Sequence, residues 1–504
     1  MNVPVQDWVA HNAVLYPEKL AMVDLDSHRQ FSYRAFSDRI GYLAGYLARC
    51  GLAPGDRVAV LSQNSTDIFE FQFACLRTGI ILVPLNWRLA AAELAYILRD
   101  ATPKLFFFDP AFRDKAAPAA RDAGVRTLQT IDYGSDSDYE AGIAQNFGLS
   151  SPTPLGSRDP WIILYTSGTT GKPKGVIVTY EMMFFNAVNV TAPLKITRDS
   201  RGVTFLPTFH IGGFNSYANP LFLAGGTTYV PRAFNARTFF DLHASKEVRI
   251  THSGGVPTQL QLMSEEDGFT DADLSHLEVM AVGGAAVPGT LINCFARKGV
   301  ALNNAWGMTE TAGMATILRS EDAAAHIGSC GQKVMFSDLK IVSRDGRNTN
   351  PGDVGEIYIR GPIVTPGYWK NDEATTNAFD SGWFRTGDAA VVDEEGYFKI
   401  VDRWKDMFIS GGENIYPAEV EDAIRRLDAV SEAAVVGIPH PKWGEVGRAF
   451  IVSRTGHKTL THDEVIDHCR DQLARYKVPA EVCFVDDLPK NASGKVMKHL
   501  LPRD

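Results

Sequence analysis

Residues 57–108 read RVAVLSQNSTDIFEFQFACLRTGIILVPLNWRLAAAELAYILRDATPKLFFF, a stretch that alternates between two hydrophobic patterns. Short continuous apolar runs, typical of strands buried on both faces of a sheet, occur at 58–61, 80–84 and 105–108. Between these runs, apolar residues recur at helical spacing, first through Phe71 and then from Leu89 to Leu98. Strands and helices in alternation with short connections predict a parallel α/β sheet.

The residues before this stretch continue the alternation. Ser32 is placed to cap a helix, and Gly51 is placed to end it. Apolar residues recur between them at helical spacing, at Phe36, Ile40, Leu43 and Leu47. We therefore expect a large N-terminal body of parallel α/β layers.

The pattern changes from about residue 335 to 400. Three short strands separated by Asn-Pro-Gly and Asp/Gly turns are predicted at 339–342, 356–360 and 397–401. They indicate a small antiparallel β unit attached to the body.

A further change follows Arg403. Pro417 can begin a helix, and a second helix runs through Val465 and Leu473. Apolar strands are predicted at 433–438, 449–452 and 482–485. The sequence thus predicts a body at 1–402 and a small mobile C-terminal α+β domain at 403–504.

Length and composition agree with this organisation. The 504 residues suffice for two or more domains, and 45% hydrophobic with 22% charged residues is typical of a globular protein. The net charge is -9, from 50 basic and 59 acidic side chains, which disfavours a mainly electrostatic nucleic-acid binder. A local basic pocket for a phosphorylated small molecule is compatible with that balance.

The six cysteines are scattered and include no CxxC pair, which indicates neither a disulfide scaffold nor a zinc site. The N-terminus, with Asp7, has no basic-then-apolar signal segment. No apolar run approaches the roughly 18 residues that a membrane helix needs. We expect a cytoplasmic protein without a transmembrane segment. The oligomeric state cannot be read from the sequence.

The most informative segment reads YTSGTTGKPKG, residues 165–175, directly after a predicted strand at Trp161–Leu164. Its three glycines leave backbone N–H groups accessible, while four hydroxyls and two lysines add donors and positive charge. A polyphosphate needs this combination. The segment does not match the Walker pattern, because proline follows Gly171-Lys172. A merely flexible turn is disfavoured by the density of donors.

This segment and eight further motifs, in order along essentially the whole chain, resemble the adenylate-forming superfamily of acyl-CoA synthetases, peptide-synthetase adenylation domains and luciferases. The further motifs are LPTFH (206–210), VGGAA (282–286), NAWGMTE (304–310), GEIYIRG (355–361), WFRTGD (383–388), DRWK (402–405), GGENIYP (411–417) and PKNASGK (489–495). Each motif alone is weak, whereas their shared order is specific.

The resemblance implies an AMP-forming carboxylic acid–CoA ligase that uses ATP, Mg²⁺ and coenzyme A. The acid and ATP first give an acyl-adenylate and pyrophosphate, and the CoA thiol then attacks the activated carbonyl. Two steps are chemically sensible, because a free carboxylate is a poor electrophile and adenylation supplies a good leaving group.

The resemblance also implies which residues hold the nucleotide. The phosphates would contact Thr166, Ser167, Gly168, Thr169, Thr170, Gly171, Lys172 and Lys174. The adenine would lie against Gly283, Gly284 and Ala285 and the segment with Asn304, Trp306, Gly307 and Met308. Trp306 stands where the family usually has tyrosine, and an indole can still cover the base. Thr309 would contact the α-phosphate, and Glu310 would hold Mg²⁺.

Further roles follow from the same resemblance. Asp388 would bind the ribose hydroxyls, and Arg403 would lie against the ribose and phosphate. His210 would lie between the acid pocket and the nucleotide, without acting as a general base. Lys495 would be the catalytic lysine that stabilises charge on the departing pyrophosphate, in a catalytic set completed by His210, Glu310 and Thr166.

The small domain would turn about Lys405 between the two half-reactions. Gly411 and Gly412 would then line the tunnel for the CoA thiol arm. Lys442 and Trp443 either contact CoA or are an ordinary surface charge and a core aromatic.

Alternatives stay open. A stand-alone adenylation enzyme that loads a separate carrier protein, a luciferase-like oxidase and a non-catalytic nucleotide-binding regulator share the same fold. The acid is also open: small residues near His210, at Ile211–Phe214, Gly254-Gly255 and 283–286, predict a roomy apolar slot. That slot favours medium- or long-chain fatty acids, or aryl acids such as hydroxycinnamates of the feruloyl type, over acetate or amino acids.

Overall fold

The computed structural model describes residues 4–132, 137–145, 147–148, 153, 155–166, 173–284, 287–404, 406–410, 413–457, 460–490 and 496–503. They form two compact units. The N-terminal unit comprises Met1–Asp338 and Arg360–Phe384, and the C-terminal unit comprises Leu339–Ile359 and Arg385–Asp504. The boundary predicted at residue 402 stays a prediction, and the compact units divide the chain at other positions.

The strands are numbered in chain order. The first fifteen are β1 (Leu20–Asp24), β2 (Gln30–Ser32), β3 (Arg57–Leu61), β4 (Ile81–Leu85), β5 (Leu105–Phe108), β6 (Leu128–Thr130), β7 (Pro160–Thr166), β8 (Lys174–Thr179), β9 (Arg201–Val203), β10 (Thr227–Val230), β11 (His252–Gly255), β12 (Val279–Gly283), β13 (Leu302–Met308), β14 (Gly313–Ile317) and β15 (Gln332–Lys333). The others are β16 (Asp338–Val342), β17 (Gly355–Arg360), β18 (Phe379–Asp380), β19 (Trp383–Val392), β20 (Phe398–Arg403), β21 (Phe408–Ser410), β22 (Glu413–Ile415), β23 (Val430–His440), β24 (Gly444–Ser453) and β25 (Glu481–Phe484).

The helices are numbered in the same way. They are α1 (Trp8–Leu15), α2 (Tyr33–Arg49), α3 (Thr66–Thr78), α4 (Ala91–Ala101), α5 (Arg113–Ala123), α6 (Asp138–Ala144), α7 (Tyr180–Thr191), α8 (Ile211–Asn215), α9 (Ala218–Ala224), α10 (Ala236–Ala244), α11 (Pro257–Ser264), α12 (Gly289–Ala296), α13 (Asp372–Ala378), α14 (Pro417–Arg425) and α15 (His462–Gln472). Short 3-10 turns at Thr309–Thr311 and Lys498–Leu500 matter for the site.

Two largely parallel sheets build the N-terminal unit. In its described part their orders are β6-β5-β3-β4-β7-β8 and β15-β14-β13-β12-β11-β9-β10-β1-β2. β3 pairs in parallel with both β4 and β5, and every residue of β4 and β5 is buried. This confirms the predicted parallel α/β body, because strands covered on both faces carry continuous apolar runs.

The helix predicted after Ser32 is α2, and the Ser32 side chain accepts the Ala35 N–H. The apolar residues that predicted it are buried, namely Phe36, Ile40, Leu43 and Leu47. Predicted and observed ends differ by one residue or more elsewhere. The strand predicted at 80–84 is β4, shifted by one residue, whereas the strand predicted at 449–452 belongs to β24, which begins five residues earlier at Gly444.

The C-terminal unit contains two small sheets. One has the order β16-β17-β19 with β20 beside β19, and the other has the order β22-β21-β24-β23 with β25 beside β24. The predicted antiparallel β unit is thus confirmed, although its long strand β19 had been noticed only as a motif. The helix predicted through Leu473 ends at Gln472, because Leu473 has extended backbone angles.

No helix in the described ranges is both long and apolar enough to cross a membrane.

Candidate active site

The β7–β8 hairpin delivers the first predicted site residues. In its antiparallel register Thr166 lies opposite Lys174, at the end where the connecting segment joins the two strands. The residues between them, 167–172, lie outside the described ranges. The phosphate contacts predicted for Ser167, Gly168, Thr169, Thr170, Gly171 and Lys172 therefore stay predictions.

Glu310 is buried beneath this hairpin end, in the 3-10 turn that follows β13. Its backbone carbonyl accepts the Thr365 N–H at 2.8 Å. Its Oε1 accepts the Tyr368 hydroxyl at 3.0 Å. Burial, and next the charge of Glu310, raise the pKa of Tyr368, so that hydroxyl keeps the proton that it donates.

Tyr368 also connects Glu310 to the hairpin. The Lys174 Nζ lies 5.3 Å from the centre of its ring. Backbone bonds hold Tyr368 against β8, since the Ile177 N–H donates to Gly367 and the Trp369 N–H donates to Gly175. Sequence analysis missed Tyr368. The only local signal is its position in a Pro-Gly-Tyr-Trp turn far along the chain.

This arrangement suits a nucleotide and its metal. A cation at Lys174 and a carboxylate at Glu310 are held around one tyrosine, with the Thr166 hydroxyl at the same hairpin end. Within the described ranges no group of three or more His, Cys, Asp or Glu side chains is placed to hold a metal. One carboxylate, phosphate oxygens and waters are the ligand set that Mg²⁺ prefers, so these residues fit the predicted ion.

A cavity of about 180 Å³ lies beside these residues, in the N-terminal unit. Its walls come from the ends of β11, β12 and β13 and the start of α8. The predicted adenine-contacting residues that line it are Gly283, Gly284, Trp306, Gly307 and Met308, whereas Ala285 lies outside the described ranges. The described lining includes no charged side chain.

Backbone geometry explains two of these glycines. A Cβ on Gly307 would lie 1.6 Å from the Gly313 carbonyl oxygen, so only glycine permits β13 and β14 to approach this closely. Gly284 has a φ of +79°, which L residues rarely adopt.

Few polar side chains reach the cavity. The Tyr217 hydroxyl donates to the Ser253 carbonyl and accepts the Ala281 N–H. The Thr204 Oγ1 is buried and has no hydrogen-bond partner among the described residues. The cavity is therefore apolar apart from a few hydroxyl groups.

The remaining residues of the NAWGMTE motif differ in environment. The Asn304 side chain donates to the Ser329 carbonyl at 2.7 Å, which fixes the amide in the protein interior. Thr309 is half-buried and precedes Glu310 in the 3-10 turn. Their nucleotide contacts stay predictions.

His210 directly precedes α8. Burial, and next the positive charge of Arg88, lower the pKa of His210 to about 4. Its Nε2 is buried without a partner among the described residues. The imidazole is thus neutral near pH 7 and retains one unused hydrogen-bonding atom.

In the C-terminal unit, two predicted ribose contacts meet. Asp388 and Arg403 lie opposite each other across β19 and β20, and the Arg403 Nε is 2.9 Å from the Asp388 Oδ1. Trp443 is exposed rather than part of a core, and the Lys442 Nζ lies over its ring at 4.5 Å. The predicted hinge Lys405, the tunnel glycines Gly411 and Gly412, and Lys495 lie outside the described ranges.

The fold and the site together are those expected of a nucleotide-dependent enzyme, with an apolar cavity beside the predicted phosphate and metal ligands. The family model of AMP-binding enzymes matches residues 9–369, and the model of the AMP-binding enzyme C-terminal domain matches residues 419–495. The chain belongs to the AMP-binding enzyme family.

Characterised relatives align over nearly the whole chain. Indoleacetate–CoA ligase of Aromatoleum aromaticum is 38% identical, with 98% of this chain and 96% of the relative aligned. Feruloyl-CoA synthase of an Amycolatopsis species is 36% identical, with 99% of this chain and 98% of the relative aligned. A long-chain-fatty-acid–CoA ligase of Mycobacterium tuberculosis is 34% identical, with 97% of this chain and 96% of the relative aligned.

Solved structures agree. ATP-bound MatB from Rhodopseudomonas palustris has a TM-score of 0.89 and 31% identity, covering 99% of this chain and 98% of its own. O-succinylbenzoate CoA synthetase from Bacillus subtilis, in complex with ATP and magnesium ion, has a TM-score of 0.88 and 30% identity, covering 99% and 100%. The predicted class, an AMP-forming acid–CoA ligase that uses ATP, Mg²⁺ and CoA, is confirmed.

Proposed function

We propose that this ligase activates an aryl carboxylic acid of the hydroxycinnamate type. The acid's carboxylate oxygen attacks the α-phosphorus of ATP, a new P–O bond forms, and the bond to pyrophosphate breaks. The CoA thiolate then attacks the acyl carbonyl and releases AMP, with the thiol proton passing to solvent.

The lining of the cavity carries this proposal, because apolar side chains and glycine backbone form nearly all of it. Besides Gly283-Gly284 at the end of β12, which are predicted to face adenine, the neighbouring pair Gly254-Gly255 of β11 lines it. Backbone without side chains offers a planar ring a close, flat contact.

The buried Thr204 hydroxyl favours an acid with a hydrogen-bonding substituent. A buried polar group without a partner costs about 1–3 kcal/mol, a cost that a substrate hydroxyl would remove. An unsubstituted alkyl chain would leave this cost in place. The absence of a charged lining residue in the described cavity disfavours amino acids and dicarboxylates.

A medium- or long-chain fatty acid is the second candidate. The apolar lining supports it, as does the whole-length likeness to the fatty-acid ligase of Mycobacterium tuberculosis.

The roles of the site residues belong to the same proposal. Thr166 and Lys174 bind phosphate oxygens, and Glu310, held by Tyr368, supplies the carboxylate for Mg²⁺. His210 stays neutral and donates a hydrogen bond to the acid's carboxylate. Asp388 and Arg403 bind the ribose, and Lys495 stabilises charge on the departing pyrophosphate.

We assign residues 1–402 to the body, 403–504 to a lid that turns about Lys405, and the protein to the cytoplasm. Support for the location comes from the six cysteines, which are all free thiols, as expected in a reducing compartment.

A thioester-formation screen tests the substrate. Cinnamate, 4-hydroxycinnamate, ferulate, octanoate, palmitate, acetate and phenylalanine would each be offered with ATP, Mg²⁺ and CoA. We expect the highest kcat/KM for a hydroxylated aryl acid, and about fivefold less for its unsubstituted partner, since one hydrogen bond contributes about 1 kcal/mol. Preference for palmitate would establish the fatty-acid alternative, and a preference for acetate or phenylalanine would refute both.

Free CoA as acceptor is tested in the same assay. Pyrophosphate release without thioester formation would indicate a separate carrier protein as acceptor. Absence of pyrophosphate release with every acid would indicate a non-catalytic regulator.

A further inference from the structure

Residues 491–495 end at the proposed catalytic lysine and lie outside the described ranges, and the residues on either side of them are joined by backbone bonds. Lys490 and Val496 form an antiparallel bridge. One residue further on, the Met497 N–H donates to the Pro489 carbonyl at 2.7 Å. We call these four joined residues the loop base, and any displacement of it would move Lys490 and Val496 together.

Lys498 joins this base to helix α14. Its Nζ lies 2.7 Å from the Glu421 Oε1. Only 15% of the side-chain surface of Lys498 and 8% of that of Glu421 is exposed. The same oxygen accepts the Val435 N–H at 2.8 Å, and the other carboxylate oxygen pairs with Arg425 at 3.1 Å. Glu421 is thus fixed by the helix and by β23, so it is a rigid partner for Lys498.

Asp402, near the end of strand β20, completes the cluster. Its Oδ2 accepts the Ala418 N–H at 2.7 Å, in the first turn of α14. Burial alone would lower the pKa of Lys498, but the charges of Glu421 and Asp402 outweigh it and raise that pKa. Lys498 is therefore a buried, charged ammonium between two carboxylates, one of which lies three residues before Lys405.

The segment from Val496 to Leu501 is held on the C-terminal unit by apolar packing, without the charge of Lys498. Leu501 is buried in an apolar cluster with Val436, Ile438, Phe450 and Leu488, and Val496 packs against it. A buried ion pair adds little net stability over apolar packing, and its best-supported use is to fix one geometry among several. The cluster is thus better suited to orienting the loop base than to holding it down.

We propose that Lys498 is a positioning residue for adenylation. Its ion pair with Glu421 sets the orientation of the loop base, and thereby the direction in which Lys495, three residues earlier, presents its ammonium to the pyrophosphate. The proposal rests on the function proposed above for Lys495.

The test compares Lys498→Met and Lys498→Arg with the exposed control Lys399→Met in the same unit. Acid-dependent pyrophosphate release measures the first half-reaction, and thioester formation from synthetic acyl-adenylate measures the second. We expect Lys498→Met to lower the adenylation kcat by about 10- to 100-fold, because a misplacement near 1 Å can cost that much. The KM values for ATP and the acid, and the second half-reaction, should stay within about threefold, since a positioning effect on Lys495 acts on the first transition state.

Lys498→Arg should restore most of the adenylation rate, and Lys399→Met should change neither half-reaction. Lys498→Met leaves Glu421 charged and buried, which can unfold the domain. The double variant Lys498→Met with Glu421→Gln removes both charges, and the proposal requires the same selective loss of adenylation.

Equal losses in both half-reactions, or normal adenylation by the folded double variant, would overturn the proposal. Lys495→Ala separates this failure from a failure of the proposed function. If Lys495→Ala adenylates normally, the role of Lys495 is wrong. If it slows adenylation by about two to three decades while the Lys498 variants do not, only the positioning role is wrong.

Discussion

At the scale of single residues, the site depends on side chains that orient the proposed ligands of the metal and the phosphates. Glu310 carries the carboxylate proposed for Mg²⁺, and Tyr368 fixes one of its oxygens at 3.0 Å. The ring of Tyr368 also lies beneath Lys174. One side chain thus sets the position of both a proposed metal ligand and a proposed phosphate ligand.

Tyr368→Phe should weaken the metal requirement of adenylation without unfolding the protein. Loss of the hydroxyl removes one hydrogen bond that orients Glu310, so we expect about a tenfold lower kcat at low Mg²⁺, partly recovered at high Mg²⁺. Pyrophosphate release measured across a Mg²⁺ titration checks this.

Tyr33→Phe is the matched control, because it removes a buried hydroxyl bonded to the Gly226 carbonyl. It should leave the Mg²⁺ dependence unchanged. A Tyr368→Phe titration that overlays that of the unmodified protein would show that Tyr368 does not hold Glu310.

His243 makes stability depend on pH. It is fully buried in α10, and its Nδ1 bonds to the Phe239 carbonyl. Burial lowers the pKa of His243 to about 4, below the value near 6.5 of an unfolded chain. The unfolded state therefore gains a proton first as pH falls, and stability present above pH 6.5 is lost between pH 6.5 and 4.

The size of that loss can be measured with His243→Asn, which does not titrate in this range. Between pH 7 and 5 the unmodified protein should lose about 2 kcal/mol more unfolding free energy than the variant. Denaturant unfolding at the two pH values gives the difference. Equal losses of unfolding free energy in the unmodified protein and the variant would mean that His243 does not cause this pH dependence.

At the scale of elements, close contacts between strands locate the site. β13 and β14 pair with a register shift at Trp306 and Gly307, and the turn that connects the two strands carries Glu310. The Asn215 side chain fastens the same turn by donating to the Ala312 carbonyl. The position of Glu310 thus depends on how tightly these two strands approach each other.

Gly307→Ala should therefore disrupt both stability and adenylation. Its Cβ would overlap the Gly313 carbonyl at 1.6 Å, so the strands must separate. We expect a loss of about 3 kcal/mol of unfolding free energy, at the upper end of typical overpacking, and a loss of most pyrophosphate release.

Gly289→Ala is the control, since a Cβ there meets no atom within 4 Å. It should be neutral in both assays. An active, fully stable Gly307→Ala variant would show that the strand contact is not needed.

At the scale of the whole molecule, the proposed mechanism needs one chain to serve two half-reactions. The assigned hinge is Lys405, and proline there fixes φ and restricts the preceding residue. Lys405→Pro should spare pyrophosphate release and block thioester formation. The measurement is the ratio of the two products in one reaction.

Glu394→Pro is the matched control for the substitution itself. Glu394 is the second residue of the turn from Asp393 to Gly396, a position that favours proline. It should leave the product ratio unchanged. Equal loss of both half-reactions in Lys405→Pro would contradict the hinge assignment.

The sequence by itself determined the local elements and the chemistry. Buried strands such as Leu105–Phe108 and the helix capped by Ser32 follow from hydrophobic period and capping, which act over a few residues. The ordered motifs likewise indicated the family and the reaction class. β19 was missed as a strand because its apolar pattern is interrupted by Arg385, Gly387 and Asp388.

Only the tertiary structure decided which distant residues meet. Tyr368 bonds to Glu310, which lies 58 positions earlier in the chain. Lys498 pairs with Glu421, although strands β23 to β25 come between them in the sequence. Such contacts depend on strand order and on the packing of whole layers, which no short pattern encodes. The sequence therefore identified the reacting groups, whereas the side chains that hold those groups in place became visible only when the sheets were assembled.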